Sequence, residues 1–135
     1  MFVDKASQTY QKTNNYSCSE AIIHAANDYY DLGLDEKSFK MMSAFSGGMY
    51  SDQICGALVG AGAVLGVLYS TGRAHDSELM RQLVKELVSR FDHDLGATRC
   101  EELKSRHKTG ELRCERMVRT AAAILEDLIA QHPAE

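Results

Sequence analysis

The sequence predicts an all-α protein, a compact bundle of about six or seven helices built round a buried, glycine-rich central one. Three observations predict it. Apolar residues recur at three- and four-residue spacing along most of the chain; Ser, Thr or Asp stands before several of these runs and Gly after them; no period-two alternation persists. The 135 residues suit one domain, 1–135, with a single core.

Taken in order, residues 4–12 read as a short helix that stops at Thr13-Asn14-Asn15. Ser17 with Glu20 three residues on is a capping-box signature, so a second helix starts there, carries Ala21, Ile22, Ala25, Ala26 and Tyr29 on one face, and stops at Gly33. Asp35 caps a third, "DEKSFKMMSAF", which runs to a loop at Gly47-Gly48. The segment 53–70 reads as a fourth helix, apolar nearly all round and therefore the most buried. Residues 76–95 place Leu79, Leu83, Leu87 and Phe91 four apart between charges, with Gly96 as terminator. Thr98 and Glu101 form a second capping-box signature for a helix that Thr109-Gly110 interrupts. The last helix, "ELRCERMVRTAAAILEDLIAQH", turns Met117, Ala121, Ile124, Leu125 and Leu128 inward. Tyr29-Tyr30 and Met41-Met42 read as packing residues.

Composition excludes several classes. Hydrophobic residues at 44% and charged residues at 25% are ordinary for a globular chain, and a net charge of −4 without a Lys/Arg cluster argues against nucleic acid. The N-terminus has no apolar run of secretory length, so the expected compartment is the cytoplasm. The uncharged run Gln53 to Gly72 is at the short edge of a membrane span and holds five glycines, so it reads as a buried helix.

Four cysteines carry the chemical signal: Cys18 directly after Ser17, Cys55 three past Asp52, Cys100 two past Thr98, and Cys114 four past Gly110. Each falls near a predicted helix start, where unpaired N–H groups and the dipole favour thiolate and lower a thiol's pKa. Arg99 and Arg113, each next to a cysteine, add positive charge. Cys55 beside its glycines is the expected attacking thiol. No CxxC and no HExxH is present, which leaves thioredoxin-like and zincin readings without support. Gly56, Gly60 and, after one offset, Gly62 and Gly66 follow four-residue spacing and line a helix side without side chains; close helix packing would offset their propensity cost, and Gly56 and Gly60 would leave room beside Cys55 for a partner cysteine, a metal or other cofactor, or a small substrate. His107 is a weaker candidate as ligand or base, otherwise solvent-exposed, and His24 is not expected to face Cys18.

These residues resemble the C_GCAxxG_C_C family of redox-active proteins: the hexapeptide Cys55-Gly56-Ala57-Leu58-Val59-Gly60 after an upstream "FSGGM", with Cys18 in "NYSCSEA", Cys100 in "TRCEEL" and Cys114 in "RCERMV". The resemblance implies redox work by the four cysteines without naming a substrate or an electron partner. Three readings stay open. The first is thiol–disulfide exchange, electron transfer or redox sensing by Cys18, Cys55, Cys100 and Cys114, needing no cofactor and served by a redox partner or small molecule. The second is a four-thiolate site for zinc or an iron–sulfur cluster. The third is a structural module in which the cysteines pack as small hydrophobes and the glycine face serves a homodimer.

Overall fold

The computed structural model describes residues 1–108, 110 and 113–133. Among them lie seven α-helices: α1 (Phe2–Thr9), α2 (Cys18–Tyr30), α3 (Glu36–Ser43), α4 (Gly56–Tyr69), α5 (Glu78–Leu95), α6 (Cys100–His107) and α7 (Glu115–Gln131). The described residues hold no strand, and the all-α expectation stands. Thr109, Glu111 and Leu112, on which the expected interruption and the start of the last helix partly rest, lie outside the described residues.

Local chemistry sets most boundaries. The Ser17 hydroxyl accepts from the Glu20 N–H at 3.4 Å while the Glu20 carboxylate accepts from the Ser17 N–H at 3.1 Å, so the predicted capping box is present. Asp35 accepts from the Ser38 N–H at 3.0 Å and starts α3, and Gly96, at φ 78°, closes α5. Several boundaries differ from the sequence reading: α1 runs Phe2–Thr9 rather than 4–12, and α2 closes at Asp31, at φ 54°, rather than at Gly33. Helix α6 begins after Arg99 without a side-chain cap, because Thr98 belongs to an antiparallel bridge pairing Ile54 with Arg99. Helix α3 ends at Ser43, and Gly47, Gly48, Met49 and Tyr50 then follow one another at φ 57°, 64°, 60° and 55°. This left-handed turn delays α4 to Gly56 and leaves Cys55 as its N-cap.

Helix α4 packs on α2, α5 and α7, and α1 packs on α2 and α7. Ala57, Leu58, Ala61, Val64 and Leu65 of α4 meet Ile22, Leu87, Phe91, Leu125 and Leu128 in one core. Closest of all is α2 on α4: a Cβ added at Gly60 would stand 2.9 Å from the Ser19 carbonyl oxygen and 3.0 Å from Ile22 Cβ. The helix is not buried all round, however. Gly62 and Gly66 have nothing within 4 Å of an added Cβ, and Val67 is exposed, so one side of α4 faces outward. No helix is long and apolar enough to cross a membrane among the described residues.

Candidate functional site

Four helix starts deliver the four cysteines. Cys18 and Cys100 are the first residues of α2 and α6, and Cys55 and Cys114 are the N-caps of α4 and α7. All four line one cavity of about 170 Å³, together with Tyr10 and Lys104. Cysteines more than thirty residues apart in sequence, such as Cys18 and Cys55, are thereby brought to one place.

Three local devices make this convergence. The bridge at Ile54 and Arg99 ties the starts of α4 and α6: the Cys55 N–H donates to the Thr98 carbonyl at 2.9 Å, and the Cys100 N–H donates to the Gln53 carbonyl. The absent side chain at Gly56 seats α2 against α4, since a Cβ there would lie 3.5 Å from Cys18 Cβ and 3.3 Å from the Ser19 nitrogen. Tyr10, just past α1, holds the start of α7. Its hydroxyl accepts from the Cys114 N–H at 3.3 Å, its carbonyl accepts from Arg113 Nη2 at 2.9 Å, and the Arg113 guanidinium lies over its ring at 4.5 Å.

Electrostatics divide the four thiols. A hydrogen bond from Cys18 holds Cys114 down to about 6 against the opposing effect of burial, with Lys108, the Tyr10 hydroxyl and Lys104 adding to the depression. Cys18, the donor of that bond and itself desolvated, is pushed well up. Burial lifts Cys55 to about 11, although the Ala57 and Leu58 N–H groups at the α4 N-terminus pull the other way. Burial also raises Cys100, opposed by Lys104. The helix-start effect expected from sequence is therefore present at Cys55 but is outweighed by desolvation.

Several expectations are corrected here. Cys55 is not the accessible thiol: it is 4% exposed and Cys100 8%, whereas Cys18 and Cys114 are half-buried. Lys104 and Lys108, not Arg99 and Arg113, are the cations that act on the sulfurs, since Arg113 is engaged by Tyr10 and Arg99 pairs with Glu101 at 4.0 Å. Gly56 lines the cavity, but Gly60 does not, its open side being filled by α2. Among the described residues no three His, Cys, Asp or Glu side chains are gathered so as to hold a metal ion. His107 is half-buried rather than exposed and stands 2.8 Å from the Leu95 carbonyl through Nε2, away from the cavity. His24 is stacked between Tyr16 and Phe39 at 4.3 and 4.0 Å.

Tyr10 and Lys104 were not singled out from sequence. Lys104 carried a usable signal, standing four residues after Cys100 and so on its side of the helix, with Asp52 now holding its ammonium at 2.7 Å. Tyr10 carried none, because its role depends on where α1 ends relative to α7.

A family model described as putative redox-active protein (C_GCAxxG_C_C) matches residues 16–128. The chain belongs to this family. No curated protein and no solved structure matches it. All four cysteines of the C_GCAxxG_C_C reading fall inside the matched span and on the one cavity. The hexapeptide in the family's name is Gly-Cys-Ala-x-x-Gly, whereas the chain has Cys55-Gly56-Ala57, with the cysteine one position earlier. In C_GCAxxG_C_C terms this chain thus places a glycine where α2 comes closest to the start of α4, and its sulfur at the helix cap.

Proposed function

We propose that the protein carries out reversible thiol–disulfide chemistry, with Cys114 as the reactive thiolate, Cys18 as its partner, and Cys55 and Cys100 as a second, buried pair. The observation that carries this reading is that Cys18 and Cys114 line one cavity, where their mutual hydrogen bond favours the proton on Cys18 and lowers Cys114 to about 6. A thiolate is the nucleophile in exchange, and the optimum attacking thiol has a pKa near the ambient pH. The neighbouring cations Lys104 and Lys108 favour that ionised form. Membership of a family described as redox-active is consistent with such a role. Four thiols that cycle in this way suit a reducing compartment, the cytoplasm, better than an oxidising one.

The test is to equilibrate the reduced chain in graded glutathione redox buffers, quench with acid and map disulfides by mass. The Cys18–Cys114 bond is expected first, and Cys114→Ser should abolish it while Cys55→Ser leaves it. Four thiols that stay reduced throughout, or a first disulfide that omits Cys114, would end this reading.

A further inference from the structure

The size and lining of the cavity bear on what oxidises the thiolate. It measures about 170 Å³, and Leu103, Met117 and Gly56 line it beside the four cysteines, Tyr10, Ser17 and the charged Lys104. For scale, an apolar cavity of about 150 Å³ takes up benzene, a molecule of about six non-hydrogen atoms. Leu103 and Met117 are each 1% exposed, so this wall belongs to the core rather than to a groove that another protein's chain could occupy. A peptide loop bearing a disulfide, or a charged tripeptide disulfide, is larger than such a space and could meet the half-buried Cys18 and Cys114 only at its mouth, with part of its polar surface stripped of water.

We infer that this site takes a compact organic hydroperoxide as its oxidant, admitted into the four-cysteine cavity and reduced there by the Cys114 sulfur. The inference rests on the thiol reading above and adds its substrate class. The Cys114 thiolate attacks the terminal peroxide oxygen; an S–O bond forms, the O–O bond breaks, and the alkoxide that leaves takes a proton from the Tyr10 hydroxyl, which solvent replaces. Cys114 is then a sulfenic acid and the hydroperoxide has become an alcohol. The Cys18 sulfur next attacks the Cys114 sulfur, expelling the hydroxyl, which leaves as water with the Cys18 proton, and a disulfide joins the two residues. Two thiols and one hydroperoxide thus give one disulfide, one alcohol and one water. Tyr10 is placed for its step, since its hydroxyl accepts from the Cys114 N–H at 3.3 Å and burial keeps it protonated, its pKa being raised.

The reduced chain, mixed rapidly with tert-butyl hydroperoxide, cumene hydroperoxide or oxidised glutathione at equal concentration, separates the possibilities by loss of the Cys114 thiol. Because access governs how fast a thiol reacts, tert-butyl hydroperoxide is expected to react about tenfold faster than either larger oxidant. In Cys18→Ser the same reaction should stop at a sulfenic acid that dimedone traps. Leu103→Ala, which widens the cavity, should raise the rate with cumene hydroperoxide relative to tert-butyl hydroperoxide, and an unchanged ratio in a folded variant counts against the inference. Oxidation by glutathione disulfide as fast as by tert-butyl hydroperoxide overturns the substrate class while leaving the thiol reading in place. A Cys114 that none of the three modifies removes both.

Discussion

At the scale of single residues, the glycines of α4 divide into two kinds that one spacing rule had joined. Gly60 is required by contact, since its missing Cβ is the space that Ser19 and Ile22 use. Gly62 and Gly66 meet nothing and retain only the entropic cost of glycine in a helix. Gly60→Ala is therefore expected to destabilise by about 1–3 kcal/mol through overpacking against backbone. Gly62→Ala and Gly66→Ala should each stabilise by about 0.5–1 kcal/mol, the helix-propensity difference. Urea unfolding midpoints of the three variants check this, and a Gly60→Ala variant as stable as Gly62→Ala would show that α2 does not need the close approach. Helix geometry explains why the sequence reading joined them wrongly: each four-residue pair shares a side, but the second pair is offset by two residues, about 200° round the helix, so only Gly56 and Gly60 face α2.

At the scale of elements, helix starts do the positioning. Helix α2 begins where Ser17 and Glu20 exchange hydrogen bonds, and that capping box decides that Cys18 is the first helical residue. Ser17→Ala should cost about 1 kcal/mol of stability, and because Cys18 loses its fixed starting turn it should also slow Cys18–Cys114 disulfide formation. Denaturant titration and timed thiol trapping read the two effects separately; a loss of stability with an unchanged rate would mean that the cap does not position the sulfur. This boundary was readable because a capping box is local. The start of α6 was not, since Thr98 fits the same signature but is held by the bridge at Ile54 and Arg99, a contact between segments more than forty residues apart. Nor was the turn at 47–50. Two glycines announce a loop, but the left-handed path continues through Met49 and Tyr50, where each non-glycine residue costs about 1–2 kcal/mol and only the surrounding fold can impose it.

At the scale of the whole molecule, the four thiols make stability depend on pH in two opposed ways. Cys114 is depressed to about 6, so its contribution is complete above the ordinary thiol range and is lost as pH falls toward its folded value. Cys18, Cys55 and Cys100 are raised, so theirs is complete below that range and is lost as pH rises through their folded values, which for Cys55 is about 11. The stability difference between the reduced chain and its Cys114→Ser variant should consequently grow with pH from about 6 to about 8.5, the window between the folded and unfolded Cys114 values. Unfolding midpoints of both at the two pH values test it, and a difference that shrinks over that interval would contradict the assignment of the thiolate. The sequence by itself determined the helical class, the capping box at Ser17, the inward face of α7 and, apart from the exposed Leu79, of α5, and the placing of cysteines near helix starts, because all of these follow from interactions within a few residues. Only the tertiary structure decided that those starts meet on one cavity, that Cys114 is held below and Cys55 above the ordinary thiol range, and that Tyr10 and Lys104 line the same cavity. Burial and the approach of distant segments set a sulfur's surroundings, and neither is a property of its neighbours along the chain.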